Sequence, residues 1–405
     1  MKKKILIVTE CFYPEEFKIN DVFNSWIEDG NYVDVLTMTP TYPFGRIFKQ
    51  YKNKFPYSTD YINDSSIFRA YAITGYKESF IKKLLRFLSF MIIGSYISLK
   101  IGRKYDYVFG FNTGALTSML PAVIIHKIYK KKLVFWVQDI WPDSLFAYGL
   151  PKSRFNNYVL SKFVKFVYKD IHSLAISSNG FKNKLKPYVR ANVSFNYIPN
   201  WADNLDCDTR SFSFSEDQLV HFTFAGNVGK QQNLRNIIKS FFLLPPEIMA
   251  KCQLNIIGDG DELNNLKDIV SNHSCAQIKF HGRIKSTNIA KFLYASDFLI
   301  VSLVDEPAFS FTVPSKTQTY IAAKKPIFGI IKGETADIIN KNNIGFCADP
   351  NNLYEIRDIF IKFYNLSDNE KSKLIENNEN LMNNYFSKEK NIKQLLQLLI
   401  EDKNT

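Results

Sequence analysis

Between Phe222 and Ile331, four short apolar runs each lead into residues whose types suit anion chemistry. FTFAGN stops at Gly226 and Asn227, with Gly229 just behind; LNIIGDGDE carries Gly258, Asp259 and Gly260; IKFHGR stops at Arg283. The fourth run, DFLIVSL, leads into VPSKTQTYIAAKKPIFGI. Glycine lets backbone come close to a ligand, and the first N–H groups of a helix point at anionic oxygens. Residues of these types in this arrangement are suited to holding a nucleotide-type ligand.

Particular elements must carry them. Apolar runs bounded by Gly and polar clusters read as buried strands of a parallel sheet, and the helical patterns at 233–243, 261–271 and 287–295 read as crossovers. In such sheets ligands sit beyond the carboxyl ends of the strands, which is where these residues fall. The first half repeats the alternation. Its expected strands are 5–9, 32–38, 66–72, 107–111, 132–139, 173–178 and 193–200; its expected helices are 18–29, 78–104, 115–128, 152–170 and 179–189. Gln138 and Asp139 end the strand KLVFWVQD. The polar stretch 203–217 lacks periodicity and reads as a linker. A strand at 344–350 and helices at 351–364 and 369–384 complete the second half, and the apolar stripe of 387–401 is expected to pack back on the first. The expectation is an α/β chain of two doubly wound, Rossmann-like domains facing across a cleft. They are residues 1–203 and 204–385, with a returning helix at 386–405.

Composition narrows the partners. The 405 residues carry a net charge of +13, which favours phosphate-bearing partners. No helix-turn-helix, zinc-finger or RNP-like signature is present, so no nucleic acid partner is expected. Five scattered cysteines without metal-ligand spacing read as free thiols of a reducing compartment. MKKKILIVTE is too short in its apolar part for a signal peptide, and the expected location is cytoplasmic. HExxH, EF-hand and GxxxxGK[ST] patterns are absent, and GDG at 258–260 is not a GxGxxG fingerprint.

Segment 80–104 is basic at both ends, apolar between Leu84 and Ile101, and interrupted by Arg86. Spanning a membrane is disfavoured by that charge. Two readings stay open. One is a crossover helix buried on the sheet. The other is an interfacial helix with Lys82, Lys83, Arg86 and Lys100 at anionic headgroups and Phe80, Phe87 and Phe90 in the acyl boundary. The basic cluster 126–132 either extends that face or is a solvated helix end.

Taken together, FAGNVGKQQNL, IIGDGDEL, FHGRI and VPSK…YIAAKKPI resemble the second domain of the family 4 retaining glycosyltransferases, which have the two-domain GT-B fold. ILIVTECFYPEEFKIND, LTMTPTYPFGRIF, VFWVQDIWPDSL and YIPNWAD are similar to the branch containing N-acetyl-L-fucosamine transferases of bacterial O-antigen and capsule assembly. The resemblance covers nearly the whole chain. It implies transfer of a sugar from a UDP-sugar donor to an acceptor hydroxyl, with retention and with no metal or other cofactor. The implied acceptor is a polyprenyl-diphosphate-linked saccharide, met by a peripheral protein on the inner face of the cell membrane.

Residue by residue, the resemblance implies Lys316 and then Arg283 as diphosphate contacts, because cations must replace a metal there. Gly226, Asn227, Gly229, Gln232, Gly258, Asp259, Ile284, Ser315 and Thr319 complete the implied donor site. Asp139 joins Lys316 as implied catalytic residues, and Glu10, Tyr13, Asn20, Asp21, Gln138 and Trp141 form the implied acceptor side. A surface role for the two cations, and a cap on the turn into IWPDS for Asp139, are the structural alternatives.

The chain departs from the family in several places. The usual basic pair falls at Asn227 and Gln232, and the usual glutamate pair falls at Phe311 and Thr319. Gln138 stands where a histidine is common, and Lys18–Asp21 replaces a Gly-Gly. Phe311 would suit the methyl end of a 6-deoxysugar, Thr319 or Gln318 the ribose, and Glu306 offers a substitute carboxylate. An epimerase-like enzyme acting on UDP-N-acetylhexosamines and a silent sugar-nucleotide binder are the other functional readings.

Overall fold

The computed structural model describes residues 2–147, 150–202, 205, 212–214, 219–273, 275–307 and 309–401. It divides into two compact units, residues 1–199 with 389–405, and residues 200–388. Most of the stretch 203–217 read as a linker lies outside the described residues.

Unit one begins with β1 (Lys4–Thr9), α1 (Lys18–Glu28), β2 (Tyr32–Met38), β3 (Tyr57–Ile62) and β4 (Ser65–Ala70). It continues with α2 (Phe80–Ile101), β5 (Tyr107–Asn112), α3 (Leu120–Tyr129) and β6 (Lys132–Val137). Then follow α4 (Asp143–Ala147), α5 (Arg154–Tyr168), β7 (Ser173–Ile176), α6 (Gly180–Leu185) and β8 (Ser194–Tyr197). The eight strands lie in the order β3-β4-β2-β1-β5-β6-β7-β8, and every pairing is parallel except β3 with β4. The central strands β1, β5 and β6 are buried beyond their first residue, as continuous apolar runs covered on both faces must be.

Unit two begins with β9 (Val220–Ala225), α7 (Leu234–Phe242), α8 (Pro246–Met249), β10 (Cys252–Ile257), α9 (Leu263–Asn272) and β11 (Ile278–Gly282). Next come α10 (Ser286–Ala295), β12 (Phe298–Ser302), α11 (Ser315–Ala322), β13 (Ile327–Ile330), α12 (Glu334–Lys341) and β14 (Gly345–Ala348). Helices α13 (Leu353–Tyr364) and α14 (Asp368–Tyr385) close it. Its six parallel strands run β11-β10-β9-β12-β13-β14. On one face, Phe222, Phe241, Phe298, Phe328, Phe360 and Phe363 form a buried aromatic core under α7 and α13. Ser367 starts α14 with a capping box, accepting from Glu370 N while Glu370 accepts from Ser367 N.

The last helix, α15 (Lys388–Ile400), packs on unit one. Ile392, Leu395 and Leu399 are buried there, Trp26 Nε1 donates to Ile392 O, and Asn391 Nδ2 donates to Pro199 O at 3.0 Å.

Three local features differ from the sequence expectation. Strand β3 pairs antiparallel with β4 through a tight turn at Asn63, whose φ is +53°. YSTDYI is half-buried at the sheet edge and has no apolar alternation, so no period announces it. Helix α2 lies on the sheet through Phe90, Ile93, Ile97 and Ile101, as the crossover reading has it, so Phe90 does not face outward as the interfacial reading required. Arg86 is likewise buried, in an ion pair with Glu10, and is not available to a headgroup. The side chain of Phe80 is outside the described set.

Candidate active site

A cavity of about 1340 Å³ opens within unit two at the carboxyl ends of β9, β10 and β11 and the start of α11. Backbone hydrogen bonds fasten its loops side by side. Gly226 N donates to Ile257 O, Val228 N to Asp259 O and Gly258 N to Gly282 O, all at 2.8–2.9 Å. Gly258 has φ +140°, and a Cβ built on it would lie 1.8 Å from Gly226 O. Only glycine permits that approach.

Gly226, Asn227, Gln232, Gly258, Asp259, Arg283, Ile284, Ser315, Lys316 and Thr319 all line the cavity. Gly229 does not; it lines a smaller cavity of about 420 Å³ with Lys230, Arg235 and Glu262. Arg283 is exposed at the cavity wall, with Ile284, Ile289 and Leu293 adding an apolar side. Phe311 and Glu306 are not among the residues that line it. Glu306 is in a turn, its backbone carbonyl accepting from Phe309 N. Gln318 is buried inside α11 and also stands off the cavity, whereas Thr319 lines it and donates its hydroxyl to Ser315 O.

Lys316 is the unusual group. It lies in the first turn of α11, with Nζ 4.0 Å from the centroid of the Phe224 ring and donating to Gln232 Oε1. Burial alone pushes its ammonium down to about 7, and no counter-charge offsets that penalty. A desolvated amine placed between a ring and an amide carbonyl is suited to meeting an anion. Tyr320, which the sequence reading passed over, sets the position of this helix: its hydroxyl accepts from Ala225 N at 2.9 Å and donates to Ala225 O at 3.2 Å. A tyrosine on the buried stripe of α11, beside Thr317, Gln318 and Ile321, was the available signal.

His281 is structural. Its Nε2 meets Asn255 Oδ1 at 2.8 Å, and burial lowers its pKa. Among the described residues no group of three His, Cys, Asp or Glu side chains converges as a metal set would.

In unit one, the first loop after β1 is braced from within. Glu10 is ion-paired with Arg86, Asn20 Nδ2 donates to Glu15 O at 2.7 Å, and Tyr13 O accepts from Arg69 Nη2 at 2.8 Å. The Glu15 carboxylate accepts from Thr41 N, Tyr42 N and Phe12 N, while burial raises its pKa. Glu15, Arg69 and Arg86 were missed as parts of this cluster because their partners lie on other elements. Asp21 is half-buried in the first turn of α1. Asp139, Gln138 and Trp141 form a separate group after β6. Asp139 Oδ1 accepts from Ile140 N at 2.9 Å, so it does shape the turn, and burial raises its pKa. Trp141 is buried with its ring 6.5 Å from that of Phe163. Asp139 and Lys316 belong to different units.

Residues 209–381 match the family described as glycosyl transferases group 1. The probable glycosyltransferase WbjE of Pseudomonas aeruginosa is 28% identical over 264 residues, covering 62% of this chain and 64% of WbjE. The chain thus spans less than two thirds of that relative. HepE of Anabaena, solved in complex with UDP, superimposes with a TM-score of 0.67 at 12% identity, over 98% of this chain and 99% of HepE. WaaG, a glycosyltransferase involved in lipopolysaccharide biosynthesis, gives 0.62 at 12% identity, over 96% and 99%. At these identities the structural likeness speaks to fold, and the fold is GT-B, with two Rossmann-like α/β domains. Residues 209–381 are therefore similar to the glycosyl transferases group 1, on a chain whose fold is GT-B.

Proposed function

We propose that this protein transfers a sugar from a UDP-sugar to a polyprenyl-diphosphate-linked saccharide, with retention, in assembly of a bacterial cell-surface polysaccharide. The observation that carries the reading is Lys316, a desolvated amine without a counter-charge at a helix start in the cavity beyond β9, β10 and β11. A diphosphate supplies the missing anion, and its departure from the sugar is assisted by the same charge. Arg283 adds a second cation from the wall, so the diphosphate is neutralised without a metal. The apolar side formed by Ile284, Ile289 and Leu293 suits a nucleobase face or a deoxysugar methyl. That HepE was solved with UDP, and WaaG is described as acting in lipopolysaccharide biosynthesis, supports the donor class and the setting.

The donor sugar is proposed to be an N-acetylated 6-deoxyhexose such as N-acetyl-L-fucosamine, on the strength of the N-terminal motifs. Asp139 is proposed to face the acceptor, and the chain to work peripherally at the inner membrane face.

The test is titration with UDP and UDP-sugars by calorimetry, for the parent and for Lys316→Met. The parent is expected to bind UDP species in preference to GDP and dTDP species. Loss of one charge-assisted contact, about 1.5–3 kcal/mol, should weaken Lys316→Met by at least roughly tenfold. Equal affinities would sink the assignment of the site.

A further inference from the structure

We propose that the helix layer formed by α2, α3 and α5 docks on an anionic phospholipid bilayer, with α5 as a second insertion element beside α2. This gives the membrane-peripheral reading a surface, and rests on that reading only for the choice of leaflet.

The outer stripe of α2 carries Ile81, Leu85, Ile92, Tyr96 and Leu99, spaced by helical turns on one face; Ile92 is 63% exposed. Helix α5 presents Phe155, Tyr158, Val159 and Phe166, with Phe155 74% and Tyr158 63% exposed. Soluble surfaces seldom display large apolar side chains in rows of this kind. The two rows are joined at the carboxyl ends of the three helices. Tyr129 Oη donates to Leu99 O at 2.5 Å, exposed Ile128 follows on α3, and Lys127 Nζ lies 4.8 Å from the Phe166 ring centroid.

Charge decides the occupant. Helices α2, α3 and α5 contain no Asp or Glu. Lys100, Arg103, Lys104, Lys130, Lys131, Lys165 and Lys169 cluster around their carboxyl ends, and Lys82 and Lys83 stand at the start of α2. Between residues 76 and 170 there are sixteen Lys and Arg against five Asp and Glu, most of the excess of the whole chain. A second copy of this face would set cation against cation. An anionic bilayer accepts both the apolar rows and the cations around them. One helix among the described residues, Ile81–Lys104, is long and apolar enough to cross a membrane, but its other face is buried on the sheet. Contact along the surface is the geometry that remains.

The full chain would be floated with vesicles of phosphatidylcholine alone and of phosphatidylcholine with phosphatidylglycerol. Binding is expected to the mixed vesicles only, and to fall as salt is raised from about 0.1 M to about 0.5 M, because screening shortens electrostatic reach. Ile92→Glu and the pair Phe155→Ser with Tyr158→Ser should each lower the bound fraction, and the triple variant by roughly tenfold or more. Melting temperature and UDP titration should stay unchanged in all three, which separates docking from folding and from donor binding. Parent-like binding by the α5 pair would overturn the role of α5. Absent or charge-independent binding by the parent, or a concentration-dependent dimer abolished by the same substitutions, would overturn the proposal altogether.

Discussion

Lys316, on the helix that follows β12, donates its Nζ to Gln232 Oε1, 84 residues earlier in the chain. An amide carbonyl can orient an ammonium but cannot neutralise it, so burial disfavours the charged form of Lys316 with nothing to offset it. Family resemblance places the basic pair at Asn227 and Gln232; here the loop supplies an acceptor, and the cation arrives from α11.

The first consequence is a pH dependence with opposite signs for folding and for ligand. Burial lowers the Lys316 pKa from 10.5 to about 7. Between those values the unfolded chain holds the proton that the folded chain lacks, so this residue's contribution to stability increases as pH rises. A diphosphate favours the charged form and draws a proton in. UDP-glucose affinity is expected to fall above pH 7 by up to about tenfold per unit. Isothermal titration at pH 8 in two buffers of different ionisation enthalpy should show proton uptake, and Lys316→Met should abolish it. An uptake of zero in the parent would mean that Lys316 does not meet the anion.

A second concerns the glycine cradle. Gly258→Ala places a Cβ against Gly226 O in a backbone region that side chains avoid, whereas a Cβ at Gly282, φ +65°, meets nothing within 4 Å. Gly282→Ala is expected to cost about 1–2 kcal/mol from backbone strain alone. Gly258→Ala should cost more and should also weaken UDP binding, because the loops after β9 and β10 must separate. Denaturant melts and UDP titration of the two variants check this. Equal losses, with UDP binding intact, would show that the close approach does not matter to the cavity.

A third addresses the braced loop of unit one. Arg86→Met leaves Glu10 charged and buried without its partner, which typically costs about 3–5 kcal/mol. Adding Glu10→Leu removes the stranded charge and should return a large part of that loss. A double-mutant cycle by chemical denaturation measures the coupling. Additive losses would mean that the pair is not linked energetically.

Much of this protein was legible in its residues. The strands around Val8, Phe109, Val134 and Ile300 are continuous apolar runs, and buried parallel strands leave that mark in a sequence. Gly226, Gly258, Arg283 and Lys316 could be placed because a position just after such a strand, or at a helix start, is a local property. Edge strand β3 left no mark, since Tyr57–Ile62 is at most half-buried and carries no apolar alternation.

Only the tertiary structure decided the rest. The pairs Lys316–Gln232 and Arg86–Glu10 lie 84 and 76 residues apart in sequence, and neither periodicity nor composition encodes which distant groups meet. Helix α2 is apolar nearly all round, so its sequence could not tell the face that meets the sheet from the face left outside. Packing chose Phe90, Ile93 and Ile97 for the interior and left Ile92 and Tyr96 at the surface. The order of residues determined the elements and the chemistry at their ends; burial and distance, which exist only once the chain has folded, determined which of those groups carry a shifted charge.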